Sequence, residues 1–369
     1  MSNLVLYRKY RPKVFAEIIG QGHIIQTLTN EVSSGMIAHA YLFSGPRGSG
    51  KTTIARLLAK ALNCESRKDG AAEPCNNCSS CSEINEGRSI DIMEVDAASN
   101  RGIDEIRELR DGIRFSPTKS KYKVFIIDEA HQLSKDAANA LLKTLEEPPS
   151  HAIFVLATTE IHKMIPTIIS RCQRFDFRKL SFPEIVGRLE WIIGKENVQV
   201  EKSALELIAL NSGGSARDAE GLLDQVLAFG GKTAEEIKEL LGMVDTNLVS
   251  QFVDYINKKD GAGAIEFLNK ILEKGKDPQE FAKAIINYLR QGLISKIGPE
   301  MANPILTGLT MEEQKKLQAQ TAGLAEPDLR RILKLFLDAQ NQMKYSPIPQ
   351  LPIELAIIES LQKEEKSIK

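Results

Sequence analysis

Aromatic residues are scarce: phenylalanine, tyrosine and tryptophan make up 6% of 369 residues, with a single tryptophan. A core built this way relies on leucine, isoleucine and alanine, which suits a helix-rich protein. An excess of one charge is also missing, the formal net charge being −1. Nothing global therefore argues for nucleic-acid binding, and any DNA contact must rest on local basic groups or on a partner. No apolar run approaches the roughly 18 residues that a membrane span needs. The opening Met1-Ser2-Asn3-Leu4-Val5-Leu6-Tyr7-Arg8 lacks a secretory layout, so a cytoplasmic location is expected. Cysteines number only five, and disulfides are not expected in that compartment. With 42% hydrophobic and 26% charged residues the chain is of the ordinary globular class, long enough for two or three domains.

What is present begins with Gly45-Pro46-Arg47-Gly48-Ser49-Gly50-Lys51-Thr52, a glycine, four free positions, then Gly-Lys-Thr. Its flanks fit a phosphate loop: Ala40–Phe43 reads as a buried strand, and Thr53–Leu62 as a helix with Ile54, Leu57, Leu58 and Leu62 on one face. Glycines let the backbone wrap an anion, and the free N–H groups of the helix start point at it. Gly45, Gly48, Ser49, Gly50, Thr52 and Thr53 would cradle a nucleotide, Lys51 would reach its terminal phosphates, and Thr52 would ligate Mg²⁺. A chance glycine turn before a helix is the bland alternative.

Apolar strands alternate with helical patterns through residue 178. Further strands are expected at Ile92–Val95, Val124–Ile127, Ile153–Ala157 and Arg174–Phe177. This alternation predicts a parallel sheet with helices on both faces, an α/β fold. Ser134 is an expected N-cap for a helix through Ala137–Leu145 that Pro148-Pro149 ends, and another helix is expected in Lys163–Ile169. After about Leu180 the strands stop. Phe182–Gly194, Glu201–Leu210, Ser215–Phe229 and Thr233–Leu241 read as a small helical domain, punctuated by Gly213-Gly214 and Gly230-Gly231. From Asp245 a third, all-helical region follows, with one break across Gly298–Gly308.

A second nucleotide signal is Val124-Phe125-Ile126-Ile127-Asp128-Glu129-Ala130-His131: an apolar strand with two carboxylates at its C-terminal end, where open parallel sheets bind ligands. Asp128 would hold Mg²⁺ and Glu129 would activate the attacking water as general base. The strand Ile153–Ala157 ends in Thr158-Thr159, and a polar residue at that tip can position the water; two β-formers closing a strand is the plainer reading. Phosphoryl transfer gains from a cation beside the terminal phosphate. Arg171 and Arg217 are candidates, with paired surface arginines as the alternative. Arg217 follows the expected cap Ser215 and so stands in the first helical turn, where the dipole disfavours a cation.

Cys64, Cys75, Cys78 and Cys81 have the spacing C-x10-C-x2-C-x2-C. Four thiolates suit a closed, structural Zn²⁺ site in an insertion that has too few apolar residues for a core of its own. Reduced loop cysteines and an iron–sulfur cluster remain as rivals. Cys172 is isolated and reads as a small buried apolar residue.

Taken in order, Tyr7-Arg8-Lys9-Tyr10-Arg11-Pro12, Ile19-Gly20-Gln21, the phosphate loop, the four cysteines, Asp128-Glu129-Ala130-His131, Leu141–Pro149, Ser170-Arg171-Cys172 and Arg217 closely resemble the gamma/tau subunits of bacterial DNA polymerase III. The resemblance is carried by motifs from residue 7 to about 225. It implies an AAA+ ATPase core over residues 1–179 with a zinc module at about 64–81, a helical lid over 180–244, and a helical collar for oligomerisation over 245–369.

The resemblance also implies roles. Arg11, Pro12 and Ile19 would border the adenine pocket, Thr159 would be the polar sensor, Arg171 an arginine finger acting in trans, and Arg217 the lid sensor in cis. Such a chain would hydrolyse ATP, with Mg²⁺ and Zn²⁺ bound, to load the sliding clamp onto primer–template DNA. Its partners would be the delta and delta-prime subunits and further gamma/tau copies, within the DNA polymerase III holoenzyme. Arg101, Lys143 and Lys163 are candidate phosphate contacts, ordinary solvated cations being the alternative. Two rival functions stand beside this one: a passive ring subunit without turnover, and a DNA helicase, which would need a second α/β core after Leu180.

Overall fold

The computed structural model describes residues 4–99, 112, 113, 115–242, 244–298 and 311–362. The chain divides into two compact units, one of Met1–Gln199 with Ile208–Ala228 and one of Val200–Leu207 with Phe229–Lys369.

The first unit is an α/β layer structure. Its strands are β1 (Ala40–Ser44), β2 (Ile92–Asp96), β3 (Lys123–Asp128), β4 (Ala152–Thr158) and β5 (Gln173–Asp176). They form one five-stranded sheet in the order β2-β3-β4-β1-β5, every neighbouring pair parallel. All five expected strands are present, displaced by a residue at most at either end.

Side chains alternate across the sheet, so one strand feeds two cores. Tyr41, Phe43, Val124, Ile126 and Val155 pack with α2 (Gly22–Ser34) and α3 (Lys51–Leu62) through Ile24, Leu28, Ile54 and Leu58. Ala40, Leu42, Phe125, Ile127, Phe154 and Leu156 pack on the opposite side. Their partners are Leu141 and Leu145 of α5 (Lys135–Glu146) and Ile168 of α6 (Pro166–Ile169). Ser134 caps α5, its hydroxyl accepting from the Ala137 N–H at 3.2 Å. Cys172 is only partly buried, packed against this second core.

Two further helices in this unit matter for the site. One is the short α1 (Leu6–Lys9), and the other is α4 (Ser79–Asn85), which follows Cys78. The helix expected over Lys163–Ile169 is broken instead. A 3₁₀ turn at Ile161–Lys163 is followed by extended Met164 and Ile165 before α6 starts at Pro166. Proline holds its predecessor out of the α region, so one continuous helix cannot form there.

Helix α7 (Phe182–Glu196) and, after the gap in this unit, α9 (Ala216–Phe229) complete it. Between them in sequence lies α8 (Lys202–Asn211). The second unit is helical: α10 (Ala234–Leu240), α11 (Thr246–Asn257), α12 (Gly261–Glu273), α13 (Pro278–Ile297), α14 (Met311–Ala322), α15 (Glu326–Met343) and α16 (Leu351–Leu361). Aspartates 245, 260 and 277 cap three of these helices with their side chains. Phe252 meets Phe281 and Phe336 edge-on at the centre of its core. The expected break at 298–308 lies, after Gly298, outside the described residues. No described helix is long and apolar enough to cross a membrane.

Candidate nucleotide site and cysteine centre

β1, β4 and β3 are adjacent and parallel, so their C-terminal ends open on the same edge of the sheet. The residues after each strand therefore converge there, as the sheet topology requires.

After β1 the loop turns over Gly45 and Gly48, both at positive φ (148° and 72°). Added carbons would collide with the Phe177 backbone at Gly45 and with the Ser215 side chain at Gly48, so both positions need glycine for space as well as for φ. Lys51 opens α3 and is almost fully buried. Its Nζ donates to the carbonyls of Gly45 at 2.7 Å and Pro46 at 2.8 Å. Burial pushes its pKa down, opposed by the charges of Glu129 and Asp128. Thr52 Oγ1 donates to Asp128 Oδ2 at 2.8 Å, so the end of β3 and the start of α3 share one hydrogen bond.

Glu129 follows with φ 47°, a left-handed conformation unusual for a glutamate. Its carboxylate accepts from Thr159 Oγ1 at 2.8 Å and Thr159 N at 3.3 Å, and its Oε2 lies 3.4 Å from His131 Nδ1. The same imidazole nitrogen is 3.0 Å from Thr158 Oγ1. The two threonines at the tip of β4 thus divide their contacts, Thr159 to the glutamate and Thr158 to the histidine.

A cavity of about 530 Å³ covers this edge. Gly48, Ser49, Gly50, Lys51, Thr52 and Thr53 line it together with Asp128 and Glu129. Arg11, Pro12, Ile18, Ile19 and Arg217 complete the lining relevant to a nucleotide. Arg217 stands in the first turn of α9, its guanidinium carbon 5.0 Å from the Tyr7 ring centre. Ser215 caps that helix by accepting from Asp218 N at 3.2 Å. Gln21, fully buried, donates to Ser49 O at 3.3 Å and Arg178 O at 2.8 Å, fixing the loop from behind.

Arg171 does not line this cavity among the described residues; it pairs with Glu146 at 2.6 Å and donates to Thr167 O at 2.8 Å. Of the cations considered for nucleic acid, Lys143 is exposed on α5 and Lys163 pairs with Glu160 at 2.8 Å. Arg101 lies outside the described residues.

Two cavity residues, Arg188 and Glu220, carry no motif signal, unlike Tyr7 of the opening motif, which also lines the cavity. Arg188 and Glu220 form a buried ion pair at 2.7 Å between α7 and α9, and Arg188 also donates to the Tyr10 carbonyl. Burial raises the Glu220 pKa against the opposing pull of Arg188. Only long-range pairing gives them meaning, and no sequence spacing encodes it.

The four cysteines come together with all Sγ atoms within 4.8 Å of one another. Cys75 and Cys81 sulfurs are 3.9 Å apart, close to the ~3.8 Å edge of a tetrahedron with Zn–S bonds of about 2.3 Å. Backbone N–H groups also aim at the sulfurs: Asn77 and Cys78 donate to Cys75 at 3.4 and 3.3 Å, and Cys75 to Cys64 at 3.3 Å. Those donors from Asn77 and Cys78 lower the Cys75 thiol to about 6, which favours a thiolate, while burial raises Cys64 and Cys81.

Family comparisons agree with this layout. Residues 20–181 match the family described as DNA polymerase III, delta subunit. Residues 184–232 match the DNA polymerase III clamp loader subunit, ATPase lid domain, and 232–368 match DNA polymerase III subunits gamma and tau domain III. The DNA polymerase III subunit gamma of Buchnera aphidicola subsp. Acyrthosiphon pisum is 36% identical over 97% of this chain and 98% of its own length. The chain belongs to the DNA polymerase III gamma/tau family.

The Bacillus subtilis subunit tau is 42% identical over the whole chain, which spans 65% of that relative's length. The Thermotoga maritima RuvB Holliday junction branch migration motor superposes at TM-score 0.47 and 20% identity, over 67% of this chain and 78% of that one. The family's AAA+ fold implies a nucleotide and Mg²⁺, and the donor set at the sheet edge suits both. A buried lysine faces the loop, and a threonine–aspartate pair offers two hard oxygens.

Proposed function

We propose that this chain is an ATP-driven motor subunit of the bacterial clamp loader, acting within the DNA polymerase III holoenzyme to load the sliding clamp onto primed DNA. The observation that carries this reading is the convergence of Lys51, the Thr52–Asp128 pair and the Thr159-held Glu129 over one cavity.

In this reading the triphosphate lies along Gly45–Thr53, and the base lies against Arg11, Pro12 and Ile19. Lys51 leaves the Gly45 and Pro46 carbonyls for the terminal phosphates. Thr52 and Asp128 would hold Mg²⁺, which neutralises charge on the phosphate oxygens. Glu129, steered by Thr159, takes the proton of the attacking water. Arg217 would contact the phosphates from the same protomer. Arg171, which pairs with Glu146 and is not among the residues lining its own cavity, would serve as the finger for a neighbouring copy, so that turnover depends on correct assembly.

Cys64, Cys75, Cys78 and Cys81 would hold a structural Zn²⁺. We further propose an ATPase core over residues 1–179, a lid over 180–244 and a collar over 245–369. The delta and delta-prime subunits, further gamma/tau copies, the clamp and primer–template DNA are the partners, in the cytoplasm. A helicase reading is disfavoured because no strand follows Asp176 among the described residues. A passive ring subunit is disfavoured because the Lys51-Thr52 and Asp128-Glu129 pairs are both present and line one cavity.

The test is ATP turnover by the purified chain, alone and with its loader partners, clamp and primed DNA. Glu129→Gln should bind ATP and lose turnover. Arg171→Ala should bind ATP and lose only the stimulated rate, by about 10³-fold. Absence of turnover in the unaltered assembly rejects the motor in favour of the passive subunit.

A further inference from the structure

The cysteine segment is bonded to the wall of the nucleotide cavity, and the contacts use no thiol. Residues 11–19 form a strap whose two ends, Arg11-Pro12 and Glu17-Ile18-Ile19, both line the cavity. Its middle is the 3₁₀ turn Phe15–Glu17. The two leading N–H groups of that turn lack partners within it, as at any helix start. Glu73, two positions before Cys75, satisfies both: Oε2 accepts from Phe15 N at 2.8 Å and Oε1 from Ala16 N at 2.9 Å.

Asn76, between Cys75 and Cys78, adds a second tie by donating to the Lys13 carbonyl at 3.2 Å. The other end of that amide accepts from Lys60 Nζ at 2.6 Å, and Lys60 also donates to Asn85 Oδ1 at 2.8 Å. Lys60 is buried on α3, the helix that the phosphate loop opens. One short segment therefore grips both the strap and the phosphate-loop helix. Arg11 and Pro12 also line a second cavity of about 820 Å³, bordered by Ile84 and Asn85 of α4.

We propose that Glu73 is a positioning residue for nucleoside recognition. By fixing the Phe15 and Ala16 amides it sets the place of Arg11, Pro12, Ile18 and Ile19, and so makes affinity for the base and sugar depend on the cysteine segment. The hydrogen bonds of Glu73 go to the strap, and the phosphate loop is held from behind by Gln21, so phosphate affinity does not share the dependence on Glu73. A carboxylate accepting two adjacent backbone N–H groups is a strong and directional anchor. Phe15, buried in the core beneath, pins the same turn from the other side.

The proposal rests on the nucleotide reading above, and the test separates the two. Competition against a fluorescent ATP analogue is measured with ATP and with inorganic triphosphate, alongside zinc content and thermal melting. For Glu73→Gln we expect ATP affinity to fall about tenfold, with triphosphate affinity and zinc content unchanged. Asn76→Gly keeps the left-handed backbone at that position (φ 59°) while deleting the ties to Lys13 and to Lys60, which retains its Asn85 acceptor, and should show a smaller split in the same direction. It decides the matter if Glu73→Gln fails to fold. Unchanged ATP affinity in the folded variants, or equal losses for ATP and triphosphate, overturns the proposal. An unaltered chain that binds no ATP overturns the parent reading, and this one with it.

Discussion

Thr159 Oγ1 donates to Glu129 Oε2 at 2.8 Å, from the tip of β4 to the residue that follows β3. The strands are neighbours in the sheet, so the bond crosses from one ladder to the next. In the proposed reading Glu129 is the general base, and the same Oε2 also accepts from Thr159 N at 3.3 Å and lies 3.4 Å from His131 Nδ1. A general base must be aimed before it is useful. Thr159→Val removes the hydroxyl and keeps the shape. We expect turnover to fall about ten- to hundredfold with ATP affinity within about twofold of normal. A variant with full turnover would show that Glu129 is aimed by something else.

Gly48 carries a different prediction. Its carbonyl accepts from Ala216 N at 3.2 Å, and an added carbon would run into the Ser215 side chain. The apex of the phosphate loop is therefore pressed against the cap of α9, the helix that bears Arg217. Gly48→Ala meets a steric clash and a φ of 72° together. Stability should fall by about 1–2 kcal/mol in urea unfolding, and ATP affinity by at least about tenfold. Loss of stability alone would mean that loop and cap move apart without consequence for the nucleotide.

Much of this arrangement is legible in residue order, and the parts that are not have different causes. The strands announce themselves as apolar runs because both faces of a parallel sheet are covered; β1 and β4 are buried at every position. The phosphate loop and the cysteines are local patterns, so spacing alone assembles them. Helix α2 is harder to see. Only Ile24, Leu28 and Val32 of its thirteen residues are buried, and threonines and serines dilute that stripe. Pro166 marks the break between the 3₁₀ turn and α6, and the apolar spacing on either side of it reads as helical all the same. Arg188 and Glu220 look like surface charges until α7 and α9 bring them together, 32 positions apart. Glu73 is equally silent in the sequence, because its partners lie 57 and 58 positions away and are backbone amides.

Acid should weaken the α7 start in a defined way. Glu184 accepts from Arg178 and from the Ser181 N–H, and the Arg178 guanidinium holds its carboxyl down at about 2, against an ordinary 4.5. A depressed carboxyl stabilises the fold above its unfolded value and loses that contribution as pH falls from about 4.5 through about 2. The side chain is 27% exposed, and screening trims the contribution to about 1–2 kcal/mol. Glu184→Gln should therefore lower the urea midpoint at pH 7. The gap to the unaltered chain should narrow steadily as pH falls from about 4.5 toward 2. A gap independent of pH would assign the effect to shape rather than charge.

Removing metal from the cysteine centre should open the segment locally and leave the sheet folded. Neither core of the first unit is built on the thiols; among the four, only Cys81 is buried, whereas the sheet faces are closed by strand and helix side chains. Residues 64–81 are held by the sulfur cluster, by polar ties through Glu73, Asn76 and Lys60, by the Arg67 bond to the Val32 carbonyl and by Ala72 packed on the first core. Structural zinc supplies folding free energy chiefly to the loop that ligates it. Chelation, or Cys78→Ser, should release one zinc per chain and expose cleavage sites within that segment. The melting temperature of the unit should drop by only a few degrees, because local opening need not be global. Mass measurement of the native chain and limited proteolysis report both halves of this expectation. Cooperative unfolding of the whole unit on chelation would mean that the cysteine centre supports the sheet itself, and the polar ties would then be its transmission rather than its reserve.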